Sequence, residues 1–254
     1  MTVIEGLALA AAGVAAGIVS TVVGLASVVS YPALLAIGLP SLAANMTNTV
    51  ALLFTGVGAA AGSRPELAGQ ASRIRRLGTI AALGGGAGAA LLLVTPPQTF
   101  VRVAPILIGA ASLALLAPSR QDRAPGPGAG PGHDTRSPWL LAGVAGVAVY
   151  IGYFGAAGGI VMLALLIAMV AEPLARVNAV KNMLGAIANA VAAVAFAVFG
   201  HVDWAAVVPL AGGFLVGGWT GPALVRRIPG RVLRIGVAVC GLAVAVKLGI
   251  SAYG

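Results

Sequence analysis

The sequence predicts an all-α, polytopic membrane protein, and three observations support this fold class. Of the 254 residues, 59% are hydrophobic and only 8% are charged, and the mean hydropathy is +1.03. Several apolar runs are long enough to cross a hydrocarbon core of about 30 Å. The arginines stand in short loops between these runs, so the net charge of +9 reflects orientation signals and not a nucleic acid partner. We expect a multi-pass protein of the cell (inner) membrane, with the lipid bilayer as a partner.

The first half of the chain begins with an apolar segment that carries Glu5 and has no basic residue ahead of it. Because a cleaved signal peptide has a basic start, we expect this segment to be retained as a membrane helix. A break rich in small residues follows at 24–27, and a short apolar piece containing Pro32 leads to a turn at 38–40. The next apolar helix carries polar side chains in its first turns, namely Asn45, Thr47, Asn48 and Thr49.

The second half contains a stronger break of the same kind, formed by Gly152, Gly155, Gly158 and Gly159. Glycines so close together do not make one stiff helix, although both flanks are apolar. The spacing predicts a helix over 139–154 and a short helix from 158 to 170, which spans only about 20 Å. Free N–H groups at the start of this short helix can bind an anion. Alternatively, the glycines only allow helices to approach closely.

A polar stripe is predicted on the helix that follows the loop at 171–176. Asn178, Asn182 and Asn189, with Gly185 between them, recur at intervals of three and four and therefore share one helix face, with Lys181 beside it. Amides and a lysine are costly in hydrocarbon, so such a face indicates a substrate path. For Lys181 the alternative is a side chain that extends to the membrane interface.

The two halves correspond, which divides the chain into a first membrane repeat (1–118), a Pro/Gly-rich polar linker (119–137) and a second membrane repeat (138–254). Gly84 and Gly88 match Gly213 and Gly217 in this comparison. Three further pairs share one spacing, namely Pro97 with Pro229, Arg102 with Arg234, and Gly109 with Gly241. His133 is expected to be a simple loop residue, and Cys240 to pack in an apolar helix.

The distribution of Lys and Arg predicts the topology. Four plain crossings per half would divide the basic residues evenly between the two sides, against the positive-inside rule. If each half has five elements, counting the short broken piece, or begins with a re-entrant hairpin, which has the same parity, all of them except Arg102 and Lys247 fall on one side. An odd count also makes the halves inverted repeats, each with a broken or re-entrant helix pair. We therefore expect both termini outside and the linker in the cytoplasm.

These observations favour a permease for a small anion. All six acidic residues lie in or beside loops or near the start of the first segment, so no carboxylate is placed to bind Na⁺ or relay protons. An anion leaving a negative-inside cell gains about 2.3 kcal/mol per charge per 100 mV, which favours export. The expected substrate-binding residues are Lys181, Asn178, Asn182, Asn189, Gly155, Gly158, Gly159, Asn45, Thr47 and Asn48.

No catalytic residue, metal or cofactor is expected. The chain has no HExxH motif, no paired intramembrane aspartates, two histidines in loops and a single cysteine. Two alternatives stay open: chemistry at Lys181, and a membrane subunit or scaffold that transports nothing by itself. The particular anion, any coupling ion and assembly into a homo-oligomer are also left open.

Four segments resemble the TauE/SafE-type sulfite exporter family. They are GYFGAAGGIVMLALL (152–166), NAVKNML (178–184), GHVDW (200–204) and GGWTGPALVRRIP (217–229). The first half departs from the family's glycine run, since it has Gly24-Leu25-Ala26-Ser27-Val28 before Pro32. The resemblance implies transport of sulfite, a sulfonate or a related organosulfur anion, usually outward.

Overall fold

The computed structural model describes residues 2–22, 24–116, 137–155, 158–170 and 172–225, together with isolated positions between 235 and 252. Within these residues all regular structure is helical, which confirms the predicted fold class. The helices are α1 (Val3–Val22), α2 (Ala26–Ala36), α3 (Ser41–Gly62), α4 (Arg64–Leu67), α5 (Ala71–Val94), α6 (Pro97–Leu116), α7 (Pro138–Tyr153), α8 (Gly158–Met169), α9 (Leu174–Phe199) and α10 (Trp204–Val225). Nearly all of the linker, and with it His133, lies outside the described residues, as do Pro229, Arg234, Cys240 and Gly241.

Five of the described helices, α1, α3, α5, α9 and α10, are long and apolar enough to cross a membrane. Helices α2 and α8 have 11 and 12 residues, so each extends about 16–18 Å and is too short to cross a core of about 30 Å alone. The bounds of α7 and α8 agree with the prediction to within one residue. Each short helix begins beside a break inside the bundle.

Both breaks bend the chain through a glycine of the same geometry. The amide of Gly24 donates to the carbonyl of Val19 at 3.1 Å, and the amide of Gly155 donates to the carbonyl of Tyr150 at 3.0 Å. Each bond reaches five residues back, and the two glycines have φ of +87° and +69°. Side chains disfavour this region of φ, so glycine is required at both bends.

The two halves interlock through small residues. Helix α1 packs along α10, and α7 packs along α5, so the first helix of each half lies against a long helix of the other. A Cβ at Gly13 would lie 2.5 Å from the carbonyl oxygen of Leu210, and one at Gly84 would lie 2.8 Å from that of Ala145. Such contacts leave no room for side chains, and close backbone approach is how helices associate in lipid.

These contacts correct the glycine pairing expected from the sequence. Gly85 packs on the backbone of Ala188, and Gly218 packs on the backbone of Thr55. Gly85 precedes Gly218 by as many positions as Thr55 precedes Ala188, so the two contacts are equivalent in the two halves. In this alignment of the halves Gly84 corresponds to Gly217, which lies one helical turn after Gly213. The sequence missed this register because glycines recur every four residues along both helices, at 84 and 88 and at 213, 217 and 221.

Helices α3 and α9 run antiparallel across the centre of the bundle. At one end Arg176, in the first turn of α9, donates to the carbonyl of Ala68, just beyond α4, at 2.8 Å. At the other end the amide of Asp203, which follows α9, donates to Thr47 Oγ1 near the start of α3 at 3.0 Å. At the same end as Arg176, Arg73 in the first turn of α5 forms an ion pair of 3.2 Å with Glu172, which lies between α8 and α9.

The arginines of 64–76 and Arg176 therefore share one end of the bundle. An odd number of elements per half predicts this arrangement, whereas four plain crossings would separate these residues. The side that faces the cytoplasm stays a prediction, and so does the inverted orientation of the complete halves.

Candidate functional site

A polar cavity lies where the two breaks meet. A Cβ at Gly24 would lie 2.6 Å from the carbonyl carbon of Gly159, so the breaks touch through their backbones. The cavity volume is about 60 Å³, and one water needs roughly 10–15 Å³. About four to six waters, or one small anion of similar size, therefore fit. Its walls are formed by Ser20, Thr21, Gly24, Ala26, Ser27, Leu52, Thr55, Gly56, Ala59, Ile151, Gly155, Gly159, Met162, Lys181, Asn182, Gly185, Ala186 and Asn189.

Lys181 is the charged residue of this wall. Its side chain is 2% exposed, and its ammonium Nζ lies 3.4 Å from the carbonyl oxygen of Ser20, near the end of α1. Within the described residues no carboxylate oxygen lies within 4 Å of this nitrogen, and Glu172 pairs with arginines at the bundle end. A side chain so buried does not extend to the interface. An ammonium ion without a counter-ion is costly to bury, and an anion in the cavity would offset that cost.

The predicted stripe on α9 follows the cavity wall. Asn182 and Asn189 line it, with Gly185 between them. A Cβ at Gly185 would meet no atom within 4 Å, so this glycine leaves the space open. The amide nitrogen of Asn182 is buried without an acceptor. Spacing alone thus located this part of the wall.

Asn178 and Asn45 occupy matching positions beside the breaks and hold helix ends. Asn178 Nδ2 donates to the carbonyl of Thr21 at 3.0 Å, and Asn45 Nδ2 donates to the carbonyl of Tyr153 at 3.1 Å. These carbonyls belong to the last turns of α1 and α7, where a helix leaves acceptors without backbone donors. Each asparagine therefore stabilises the break of the other half, and neither is part of the cavity wall.

The structure places three further expected residues away from the wall. Thr47 Oγ1 accepts from the amide of Asp203, and Asn48 Nδ2 donates to Ser27 Oγ at 3.1 Å. The amide of Gly158 donates to the carbonyl of Gly155 at 3.3 Å. Of the expected glycines, Gly155 and Gly159 line the cavity. Gly159 also packs on Gly24, so the packing and the cavity interpretations of the glycines both apply to it.

Sequence reasoning missed Thr55, Ser27 and the end of α1. Thr55 stands in the apolar run LLFTGV, after the cluster of polar residues that attracted attention. It is ten residues beyond Asn45, and positions 45, 48, 52 and 55 follow one another at helical intervals of three and four. Extending that face along α3 would have reached Thr55, whose hydroxyl is buried without a partner.

Beyond the cavity the path is closed by aromatic rings. Tyr31 and Phe100 both pack edge-on against Phe154, with centroids 5.7 and 5.6 Å apart, and all three side chains are fully buried. Phe154 follows Tyr153, whose carbonyl accepts from Asn45, so the rings lie beside the start of α3. The cavity wall instead uses the second part of α3, from Leu52 onward. The cavity is therefore displaced toward the arginine-bearing end.

A multi-pass helical bundle with a polar cavity between two broken helices is the architecture of a membrane transporter. A family model described as Sulfite exporter TauE/SafE matches residues 9–248. The chain therefore belongs to the TauE/SafE sulfite exporter family, as its motifs predicted. No curated protein and no solved structure matches it.

Proposed function

We propose that this protein is a permease for a small sulfur-containing anion, sulfite foremost, and that the anion binds in the cavity between the two breaks. One observation carries the proposal: Lys181 is a buried lysine at the cavity wall, and no carboxylate of the described residues lies beside it. Family membership supplies the class of substrate. A sulfonate or another organosulfur anion is the alternative cargo, and its organic part would need a wider cavity.

Electrostatics support an anion at this position. Two opposite unit charges 4 Å apart attract by roughly 4 kcal/mol at an effective dielectric constant of 20. The amide nitrogen of Asn182 and the bend at Gly155 add polar groups at the same wall. A small anion would thus meet one full positive charge and hydrogen-bond donors, while Met162 and Ile151 close the apolar side.

Export from the cytoplasm is the proposed direction. The membrane potential drives an anion outward with about 2.3 kcal/mol per charge per 100 mV, and none of the cavity-lining residues is acidic. We place the arginine-bearing end in the cytoplasm, according to the positive-inside rule. The cavity then faces the cytoplasm, and the rings of Tyr31, Phe100 and Phe154 close the outer side. The proposal includes the inner cell membrane, two inverted repeats (1–118 and 138–254), and transport without catalysis.

The test is sulfite flux in proteoliposomes under an imposed membrane potential. Lys181→Met should reduce the flux about 100-fold, because methionine keeps most of the side-chain volume and removes the charge that attracts the anion. Arg176→Met is the matched control, since Arg176 is a half-buried cation on the same helix that lies outside the cavity wall, and its flux should stay within about twofold of wild type. The protein should insert normally in both cases, because removing a buried charge does not oppose membrane insertion.

Near-normal flux in Lys181→Met would remove this residue from the path. If the wild-type protein moves neither sulfite nor any of a panel of sulfonates and carboxylates, the alternative of a non-transporting membrane subunit is favoured. Assembly into a homo-oligomer stays a prediction, which cross-linking in native membranes would test.

A further inference from the structure

Thr55 differs from five other threonines among the described residues in the hydrogen bonding of its hydroxyl group. Helical threonines normally donate this hydroxyl to the backbone carbonyl three or four residues earlier. Thr55 is 5% exposed, and its Oγ1 finds no hydrogen-bond partner among the residues that the structure describes. Bonds to the carbonyl four residues earlier are made by Thr21, Thr49, Thr79 and Thr220, and also by Thr95 at the end of α5.

Thr55 belongs to the wall of the cavity, on a helix that packs against α9. Thr55 lines the cavity together with Lys181 and Asn182, and the amide nitrogen of Asn182 is likewise buried without a partner. An unsatisfied buried donor costs about 1–3 kcal/mol. The wall therefore offers a hydroxyl, an amide and an ammonium group, contributed by both halves of the chain, and their natural partner is a ligand with several acceptor oxygens.

The backbone around Thr55 is held in place by the helix behind it. A Cβ at Gly218 would lie 2.6 Å from the carbonyl oxygen of Thr55 and 3.1 Å from its Cα. Helix α10 thus packs directly on the backbone of α3 at this residue. The close contact fixes where the hydroxyl stands relative to α9.

We propose that Thr55 donates a hydrogen bond to an oxygen of the transported anion and is a specificity-determining residue for small oxyanions. This inference rests on the proposed function, because it uses the same cavity and the same cargo. It adds a contribution from α3 to a site whose charge comes from α9. An anion bridging Thr55 and Lys181 would contact both halves at once.

The test measures sulfite flux as a function of sulfite concentration. The proteoliposomes contain the Thr55→Val, Thr55→Ser or Thr49→Val protein. Valine has the shape of threonine without the hydroxyl, so Thr55→Val should raise KM about 10-fold or more, since hydrogen bonds to charged groups contribute about 1.5–3 kcal/mol. Thr55→Ser keeps the donor and should stay within about threefold of wild type. Thr49→Val is the matched control, because Thr49 is equally buried in α3 and its hydroxyl already bonds to Asn45. Its KM should not change.

The outcomes separate the two proposals. A transporting wild type with an unchanged KM in Thr55→Val overturns this inference and leaves the proposed function intact. An equal rise of KM in Thr49→Val also overturns it, because the effect would then be one of packing. A wild type that inserts but moves neither sulfite nor any sulfonate or carboxylate of the panel overturns both proposals. If Thr55→Val does not accumulate in the membrane, Thr55→Ala takes its place, and an unchanged KM in that variant overturns the inference.

Discussion

Helices α3 and α9 are built alike, yet they use the same position in different ways. Asn45 and Asn178 each hold the end of a broken helix in the other half. Three residues after Asn45 comes Asn48, which is bonded to Ser27. Three residues after Asn178 comes Lys181, which lines the cavity and has no carboxylate partner among the described residues. A shared scaffold thus supports a satisfied hydrogen bond in one half and an unpaired charge in the other, and the proposed function depends on that difference.

The same contrast separates the two ends of the bundle. Toward the C-terminal end of α3 and the start of α9, small residues such as Gly56 and Gly185 leave a cavity. Toward the start of α3, the rings of Tyr31, Phe100 and Phe154 fill the corresponding space. Within the described residues the cavity therefore lies toward the arginine-bearing end of the bundle.

Cysteine labelling of the two ends should give the largest effect, an all-or-none difference. In a Cys240→Ser background, a cysteine replaces Ala68 at the arginine-bearing end or His201 at the other end, and both positions are exposed. A membrane-impermeant reagent added to intact cells should label His201→Cys and leave Ala68→Cys unlabelled until the cells are opened. The reverse pattern would invert the proposed orientation. Labelling of both positions from outside would contradict their placement at opposite ends.

Alanine in place of Gly24 or Gly159, whose backbones touch, should lower the free energy of unfolding of the protein. A Cβ at Gly159 would lie 2.5 Å from Gly24 Cα, and alanine at Gly24 also meets an unfavourable φ of +87°. We expect Gly24→Ala to cost about 1–3 kcal/mol more than Gly159→Ala, because strained backbone adds to the clash. Thermal unfolding in detergent measures this, and one kcal/mol corresponds to roughly 2–4 °C.

Gly146→Ala is the control for that experiment, since a Cβ at Gly146 in α7 would meet no atom within 4 Å. It should leave the melting temperature unchanged or slightly raised, as alanine favours a helix over glycine. Equal melting temperatures for all three variants would contradict the contact between the breaks. Because of the same contact, valine at Gly159 would push the two breaks apart. Loss of transport in such a variant would therefore indicate disturbed packing and not loss of anion binding.

The smallest effect is expected from the matched asparagines. Asn45→Leu and Asn178→Leu each remove a hydrogen bond to a helix-end carbonyl, and each should cost about 1–2 kcal/mol. Because neither residue is part of the cavity wall, KM for sulfite should stay within about threefold of wild type in both. Melting temperature and flux on the same preparations check this. A 10-fold rise in KM for Asn178→Leu alone would show that Asn178 contacts the anion.

The sequence predicted the elements well, because hydropathy, glycine clusters and helical spacing are local properties. The bounds of α7 and α8, the stripe from Asn182 to Asn189 and the family all follow from neighbouring residues. Spacing could not determine which polar residues find partners. Asn48 and Lys181 stand at corresponding positions, and only the packing of α2 against α3 supplies Asn48 with Ser27.

The sequence by itself determined a multi-pass helical protein of the TauE/SafE family with two breaks and a lysine beside a polar helix face, since composition and motifs depend only on the order of residues. Tertiary structure decided that the breaks touch through Gly24 and Gly159, that Gly84 is equivalent to Gly217 in the other half, and that Thr55 is part of the cavity wall. These features depend on distances between residues far apart in the chain. A repeat of glycines every four residues fits more than one register, and only side-chain and backbone contacts across helices select one of them.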